Sequence, residues 1–321
     1  MNRRKAIPLV SCTALVVFLF LVPLFITGQY QLHVLIMAGI AVVLTSSLRL
    51  IFNSGQLSLG HGGVMTLGAY TSALLTTKLG LSTWAALGAG AAAGGLFALL
   101  VGYPFVRLKG IYFSLVTVFM AEAIRLTGEQ WKSLTGGSLG ISNIPVPDPI
   151  RIPGLFNISF TSKVEFYYLT LVLVLFSLLV FYALERSRIG LTWFSVRESD
   201  FLAESVGIDT ASSKVLAFCI GSLFAGLAGA LYSQYNAVIT PSAFGFVYSV
   251  YVLIYMIVGG AQSFAGPIIG AVILTFLPES ARALKAYQPY IFAGVVILVM
   301  FFLPGGIVSL PRRIMAFIKV R

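Results

Sequence analysis

The sequence predicts an all-α polytopic membrane protein with about ten transmembrane helices in one bundle. Two features of composition carry this prediction: 58% of the 321 residues are hydrophobic and only 10% are charged, whereas soluble domains carry about 25% charged residues. A third observation is that many apolar runs reach the roughly 20 residues that cross a bilayer. A transmembrane β-barrel would instead show alternating segments of about ten residues.

The predicted spans follow the apolar runs along the chain. The first comes after a basic N-terminal segment and resembles a signal peptide, but its long apolar run and poor cleavage site favour an uncleaved span. Segment 57–79 is rich in Gly, Ser and Thr, so we expect it to be broken or to enter only part-way. The ten spans are 7–27, 32–52, 57–79, 82–106, 111–127, 164–184, 214–235, 241–259, 263–281 and 287–303.

Basic residues beside the span ends set the predicted orientation. With ten full crossings and both termini in the cytoplasm, most of the 21 Lys and Arg residues fall on the cytoplasmic side, as the positive-inside rule requires. This result depends on counting 57–79 as a crossing. The cytoplasmic basic residues are then Arg3, Arg4, Lys5, Arg49, Arg107, Lys109, Arg186, Arg188, Arg197, Lys214, Arg312, Arg313, Lys319 and Arg321.

Two long loops join the spans, and the rest of residues 1–321 forms a single transmembrane domain. Residues 128–163 lie outside and hold four prolines, which fix φ and remove donors. We expect an extended, semi-rigid lid or docking surface there rather than a folded domain. Residues 185–213 lie inside and are the charged loop of this chain. It holds half of the ten carboxylates: Glu185, Glu198, Asp200, Glu204 and Asp209.

Small residues recur at four-residue spacing in several spans. Lipid gives helices no hydrophobic reason to associate, so close approach through small side chains is the usual substitute. We therefore expect tight helix contacts at these rows. They are Ala86, Gly90, Gly94 and Ala98; Gly221, Ala225 and Gly229; and Gly266 with Gly270.

Several function classes lack their motifs. The chain has no Walker A phosphate loop, its two histidines cannot form a metal cluster, and no nucleophile–base pair stands out. We therefore expect no catalytic activity, no cofactor and no metal. The net charge of +11 comes from residues at span ends and not from one basic face with aromatics, which disfavours nucleic-acid binding.

Two sets of polar residues within the spans are candidate path residues. Glu122 and Arg125 share one helix face at i, i+3 spacing and form either a structural ion pair or part of a permeation path. The middle of the membrane is otherwise nearly free of ionisable groups, which disfavours ion-driven transport. Gln56, Ser58 and His61 supply neutral hydrogen-bonding groups at the expected break, where they either line a path or make helix contacts.

The charged loop predicts a short amphipathic helix on the cytoplasmic face. It carries as many acids as bases, which suits a protein partner better than a membrane surface. Gly207 is a plausible helix stop, and Ser212 or Ser213 is expected to cap the next span. The apolar residues that can share one helical face are Leu191, Phe194, Phe201 and Leu202.

The charged loop also resembles a known motif. SRIGLTWFSVRESDFLAESVGID resembles the cytoplasmic loop of ABC importer permeases, in which a Gly–x(6)–Arg–Glu…Ala–Glu…Gly pattern docks on the ATPase subunit. Further stretches are similar to branched-chain amino acid permeases of the LivM type, and the likeness covers most of residues 35–310 in order. These stretches are 53–75, 110–126 followed by 135–141, and 253–274.

The resemblance implies a permease subunit that moves branched-chain or related amino acids across the inner (plasma) membrane. The implied partners are a homologous second permease, two ATPases that hydrolyse the ATP, and an extracytoplasmic binding protein. The chain departs from the motif at Ser199-Asp200-Phe201-Leu202, which predicts a shifted or more aromatic docking surface. The residues that match the coupling motif are Gly190, Arg197, Glu198, Ala203, Glu204 and Gly207.

Two alternatives belong to other classes. The first is a stand-alone channel or carrier for a small neutral solute such as urea. The second is a ribose-type sugar permease of an ABC importer. The charged loop discriminates against the first, because a channel has no need of a surface that docks an ATPase.

Overall fold

A computed structural model shows the protein over residues 14, 16–25, 28–108, 110–152, 156–280 and 287–310, and most of these residues are helical. Its helices are α1 (Val16–Phe25), α2 (Gln29–Asn53), α3 (His61–Thr77), α4 (Thr83–Val106), α5 (Ile111–Gln130), α6 (Lys132–Thr135), α7 (Lys163–Arg186), α8 (Arg188–Glu198), α9 (Asp200–Ser205), α10 (Thr210–Asn236), α11 (Phe246–Gly259), α12 (Ala265–Ser280) and α13 (Gln288–Phe302). Strands β1 (Ile150–Ile152) and β2 (Phe156–Ile158) pair antiparallel within residues 128–163, the loop predicted to lie outside.

Six stretches of the described chain are long and apolar enough to cross a membrane. This confirms the predicted helical, membrane-capable fold, while the count of ten spans and the cytoplasmic termini stay predictions. The predicted span 7–27 begins and ends outside the described residues, and both basic termini lie outside them as well. The six stretches are Gln29–Asn53, Thr83–Val106, Ile111–Gln130, Lys163–Arg186, Thr210–Asn236 and Pro241–Gly259.

Helices α3, α4 and α10 pack closely through the predicted rows of small residues. A methyl group added at Gly90 would lie 2.7 Å from Cβ of Ala230, and one at Gly94 would lie 3.2 Å from Cα of Gly226. A methyl group at Gly270 would likewise lie 2.9 Å from Cα of Gly259, where α11 meets α12. Only glycine permits such close backbone approach, so the predicted tight contacts are confirmed.

The break, residues 54–60, is a non-helical stretch between α2 and α3. It overlaps only the start of the predicted span 57–79, and the rest of that span is mostly the continuous 17-residue α3. The expected break within the span is therefore displaced to its beginning, and whether the span crosses the membrane stays a prediction. Gly55 has a φ of +83°, a left-handed conformation that glycine adopts without steric cost. The chain therefore turns between α2 and α3, and the two helices do not form one continuous helix.

The outer loop is tied to the ends of two helices. The Asp148 carboxylate accepts hydrogen bonds from the N–H and the hydroxyl of Thr83, at 2.8 and 2.9 Å, at the start of α4. Ile141 pairs with Ile239, just beyond the end of α10. These bonds hold the loop against the bundle at Asp148 and Ile141, while its role as a lid or docking surface stays a prediction.

Candidate functional site

The charged loop contains two helices, α8 and α9, and the prediction of one amphipathic helix is wrong. Ser199 interrupts the helix with an extended backbone (φ −162°, ψ 115°), and its Oγ accepts the N–H of Leu202 at 3.3 Å. A serine side chain competes with the helix for backbone hydrogen bonds and is a favoured N-cap. The interruption turns α9 away from α8.

The end of α9 has the predicted glycine stop. Gly207 has a φ of +86°, its N–H donates to the carbonyl of Glu204 at 2.9 Å, and the N–H of Ile208 donates to the carbonyl of Ala203 at 3.1 Å. This pair of bonds is the Schellman motif. The expected Gly207 stop is therefore confirmed.

The cap of α10 is Asp209, so the prediction of Ser212 or Ser213 is wrong by three or four residues. The Asp209 carboxylate accepts the N–H of Ser212 at 3.0 Å and its hydroxyl at 2.6 Å. The Ser212 side chain and backbone hold the pKa of Asp209 below its usual range, because hydrogen bonds favour the charged form. A carboxylate is also favoured at a helix N-terminus.

Internal bonds fix the charged loop to the start of α10. The fully buried Trp193 donates its Nε1–H to the carbonyl of Ser213 at 2.9 Å. Lys214 forms an ion pair with Asp200 at 2.5 Å. The loop is thus a folded part of the bundle and not a flexible tether.

Besides Gly207 and Arg197, the residues matched to the coupling motif are of two kinds, buried and surface-exposed. Gly190 and Ala203 are buried, and a methyl group at Gly190 would lie 2.5 Å from the carbonyl oxygen of Leu184. Glu204 accepts a 2.7 Å bond from the hydroxyl of Thr210, and Glu198 is exposed. The first two shape the loop, while Glu198 and Glu204 are available at its surface.

The surface of the loop carries an apolar patch. Four large hydrophobic side chains of the loop are between 64% and 76% exposed, and clustered exposure of this kind is typical of an interaction site. Phe194, predicted to share the same face, is half-buried. The patch consists of Leu191, Phe201, Leu202 and Val206.

Arg197 joins the charged loop to the break. Its guanidinium lies over the ring of Phe52, 4.2 Å from the centroid. A methyl group at Gly55 would lie 3.2 Å from Cα of Arg197. The matched coupling motif therefore touches the broken segment directly, a contact that sequence reasoning missed because no local pattern encodes it.

A buried ion pair lies beside the break. Arg49 is 3% exposed, pairs with Glu185 at the end of α7, and donates its Nε–H to the carbonyl of Ala261 at 2.9 Å. Asn53 also donates to Glu185, at 3.1 Å. This cluster joins α2, α7 and the turn between α11 and α12. Sequence reasoning treated Arg49 only as an orientation marker, since its partner is 136 residues away.

The three polar residues predicted at the break are all buried. Gln56, Ser58 and His61 are between 1% and 4% exposed. His61 shares a 2.9 Å hydrogen bond with Ser47, and the Gln56 amide has no hydrogen-bond partner. In the conformation described, these groups are enclosed by the surrounding chain, and their path role stays a prediction.

Side chains of neighbouring helices satisfy the backbone of the break. The hydroxyl of Ser114 donates to the carbonyl of Leu57 at 2.7 Å, and Thr117 accepts the N–H of Leu59 at 3.0 Å. The hydroxyl oxygen of Ser249 on α11 accepts the N–H of Gly62 at 2.8 Å. Non-helical backbone in a membrane needs such partners.

Glu122 and Arg125 form the predicted ion pair, and a second carboxylate joins it. Arg125 donates its Nε–H to Oε1 of Glu122 at 2.9 Å, and it also pairs with Glu129. Sequence reasoning missed Glu129, although its i, i+4 spacing to Arg125 is a signal that could have found it.

The ion pair lines a groove of about 620 Å³ between α5 and the start of α11. We call this space the groove. Within the described residues, no group of His, Cys, Asp and Glu side chains there or elsewhere could hold a metal ion. The groove is lined by Val118, Phe119, Glu122, Arg125, Ser242, Ala243, Gly245, Phe246, Val247, Tyr248 and Tyr251.

Comparison with known proteins decides the family. Residues 30–304 match the family described as branched-chain amino acid transport system / permease component. The chain belongs to this family. Its members are permease components of transport systems, so the chain is a membrane permease and not an enzyme. No solved structure matches the chain.

Curated relatives agree with this assignment. The chain is 31% identical over 306 residues to the high-affinity branched-chain amino acid transport system permease protein LivM of Salmonella typhimurium, covering 90% of this chain and 72% of the relative. It is 33% identical to LivM of Escherichia coli over 81% of this chain and 65% of the relative. It is also 27% identical to the high-affinity branched-chain amino acid transport system permease protein LivH of Salmonella typhimurium, over 80% of this chain and 87% of the relative.

Proposed function

We propose that this chain is a permease subunit of an ATP-driven ABC importer that carries branched-chain or related amino acids across the inner (plasma) membrane. The observation that carries the proposal is the charged loop, which displays an apolar patch between α7 and α10 and also contacts the break. A permease that receives its energy from a separate ATPase needs such a surface. The names of the LivM relatives support the substrate class.

The apolar patch is the proposed docking site for one of two ATPase subunits, which hydrolyse the ATP. Gly190, Ala203 and Gly207 give the loop its shape, and Glu198 and Glu204 lie at its surface. Arg197 is the residue that passes a movement of the loop to Phe52 and Gly55. The proposed coupling residues are therefore Gly190, Arg197, Glu198, Ala203, Glu204 and Gly207.

A homologous second permease is the proposed neighbour of α5 and α11. Glu122 and Arg125 lie within a membrane-capable helix, with side chains 37% and 21% exposed. Charged groups within a membrane avoid lipid and face protein or water. Phe119 and Val247 beside them are also exposed. This face therefore requires a cover, and similarity to both LivM and LivH favours a pair of related permeases.

The remaining features complete the proposed arrangement. Ten spans place both termini in the cytoplasm, and residues 128–163 lie outside, where Leu139 is 85% exposed and a substrate-binding protein docks. Gln56, Ser58 and His61 line the translocation path once the break opens. Glu122 and Arg125 line it in the groove.

Two other functions compete with this proposal. A stand-alone channel or carrier, for example for urea, would not need the patch on the charged loop. A ribose-type sugar permease would share the ten-span plan and differ in the specificity of its receptor.

Reconstitution tests the proposal directly. The chain is incorporated into liposomes with its second permease, two ATPases and binding protein, and uptake of leucine, urea and ribose is compared. We expect leucine uptake only with ATP and all the partners. Uptake by the chain alone would overturn the importer assignment, and uptake of urea or ribose in preference to leucine would overturn the substrate class.

A further inference from the structure

We propose that the groove binds the charged main chain of the transported amino acid, with Glu122 holding its ammonium group. This inference rests on the proposed function and deepens it by naming the recognition chemistry. The groove is about 620 Å³, within the roughly 300–1,000 Å³ of small-molecule sites. Glu122 and Arg125 are the only charged residues among its described lining residues.

The charges of the cluster leave room for a cation. Arg125 is paired with both Glu122 and Glu129, so two carboxylates share one guanidinium and the cluster carries one excess negative charge. Both hydrogen bonds from Arg125 to Glu122 end on Oε1. The other oxygen, Oε2, lies toward Gly245 at the start of α11. An ammonium group at Oε2 would neutralise the excess charge.

Gly245 keeps the space beside that oxygen open. A methyl group at Gly245 would lie 3.0 Å from Cδ of Arg125 and 4.0 Å from Oε2 of Glu122. Gly245 has a φ of −62°, which any residue adopts, so the backbone does not require glycine here. Glycine is instead needed here because a side chain would fill the space beside Oε2 of Glu122.

The opposite pole of the ligand has a matching surface. Helix α11 begins at the groove, and no side chain caps its first turn. The N–H of Tyr248 donates to the carbonyl of Gly245, so the amides of Phe246 and Val247 at the positive end of the helix are the groups that would favour a carboxylate. Val118, Phe119 and Val247 supply an apolar wall for an aliphatic side chain. Ammonium, carboxylate and side chain of one amino acid thus each meet a suitable surface.

Direct binding to the complete importer tests this inference. The importer is placed in nanodiscs without its binding protein, and radioactive leucine binding is measured with and without ATP and vanadate. We expect saturable leucine binding in at least one state. Isocaproic acid, which lacks the amine, and isoamylamine, which lacks the carboxylate, should fail to compete.

Two pairs of variants locate the site. Glu122→Gln should weaken leucine binding by about 10- to 100-fold, the range for losing a hydrogen bond to a charged group. Glu129→Gln should weaken it less, because it removes the excess charge but leaves Oε2 of Glu122 in place. Gly245→Ala should also weaken binding. Gly88→Ala is its control, since a methyl group there meets nothing within 4 Å.

Failure of this inference is separate from failure of the proposed function. ATP-driven leucine uptake by the wild-type importer, measured with binding protein on the same preparation, tests the function. Uptake without saturable leucine binding in either state would mean that second-permease side chains fill the groove, and would overturn the inference alone. Equal competition by either analogue, or wild-type binding by Glu122→Gln, would overturn it as well.

Discussion

The two ion-pair clusters of this chain differ in balance and enclosure. Arg49 and Glu185 are matched one to one between α2, α7 and the α11–α12 turn, with side chains only 4% and 11% exposed. Arg125 is shared by two carboxylates and lies half-exposed at the groove. The charges of a balanced, enclosed ion pair are neutralised within the chain. An unbalanced, open cluster keeps a net charge that a partner protein or a ligand can neutralise.

The break and the groove are also connected through two helices. Helix α5 holds the break through Ser114 and Thr117, and the same helix carries Glu122 to the groove. Helix α11 binds Gly62 through Ser249, three residues after its first residue at the groove. We therefore predict that a movement of the charged loop that shifts the break reaches both walls of the groove through these contacts.

The largest expected effect comes from reversing the charge at the surface of the charged loop. Glu204→Arg should reduce ATP-driven uptake by more than about tenfold, since an unpaired charge in an interface costs several kcal/mol. Membrane insertion, measured by membrane-fraction abundance, should stay normal. Glu204→Gln is the control, because an amide oxygen still accepts the bond from Thr210. Equal loss in both variants would assign the effect to the missing negative charge of Glu204 and not to the introduced arginine, which would contradict this prediction.

Removing one partner of the enclosed pair should destabilise the chain strongly. Arg49→Ala leaves the largely enclosed Glu185 carboxylate without its cation and with only the Asn53 amide as a partner. Breaking an enclosed ion pair in this way costs about 3–5 kcal/mol, and thermal unfolding in detergent measures the loss. The double variant Arg49→Met/Glu185→Leu removes both charges and should recover most of the stability. A single variant that unfolds at the wild-type temperature would contradict the enclosure of this pair.

The contact between the break and the charged loop should produce a smaller effect. Gly55→Ala places a side chain in the left-handed region, which costs about 1–2 kcal/mol, and brings a methyl group to 3.2 Å from Cα of Arg197. Gly80→Ala is the matched control, because Gly80 has a φ of +61° but a methyl group there meets nothing within 4 Å. We expect reduced uptake per ATP hydrolysed in Gly55→Ala alone. The same ratio in both variants would show that the contact does not couple the two regions.

Features that depend on neighbouring residues were predictable from the sequence. The apolar spans, the Gly207 stop and the Glu122–Arg125 pair follow from composition or from spacings of a few residues. Contacts between distant segments were not predictable from the sequence. Examples are the contacts of Arg49 with Glu185 and of Gly55 with Arg197. The groove belongs to this second class, since its walls come from α5 and α11 and no local pattern indicates that they meet.

The smallest expected effect belongs to the open cluster. Glu129→Gln leaves Arg125 paired with Glu122, and a partly exposed ion pair contributes about 0–1 kcal/mol, so thermal stability should change far less than in Arg49→Ala. The comparison is made on the assembled importer, where the groove has its partner. A loss as large as that of Arg49→Ala would mean that the second permease encloses this cluster as tightly as α7 encloses Arg49. The excess charge would then serve that interface, and Glu122 would have no free oxygen to offer an ammonium group.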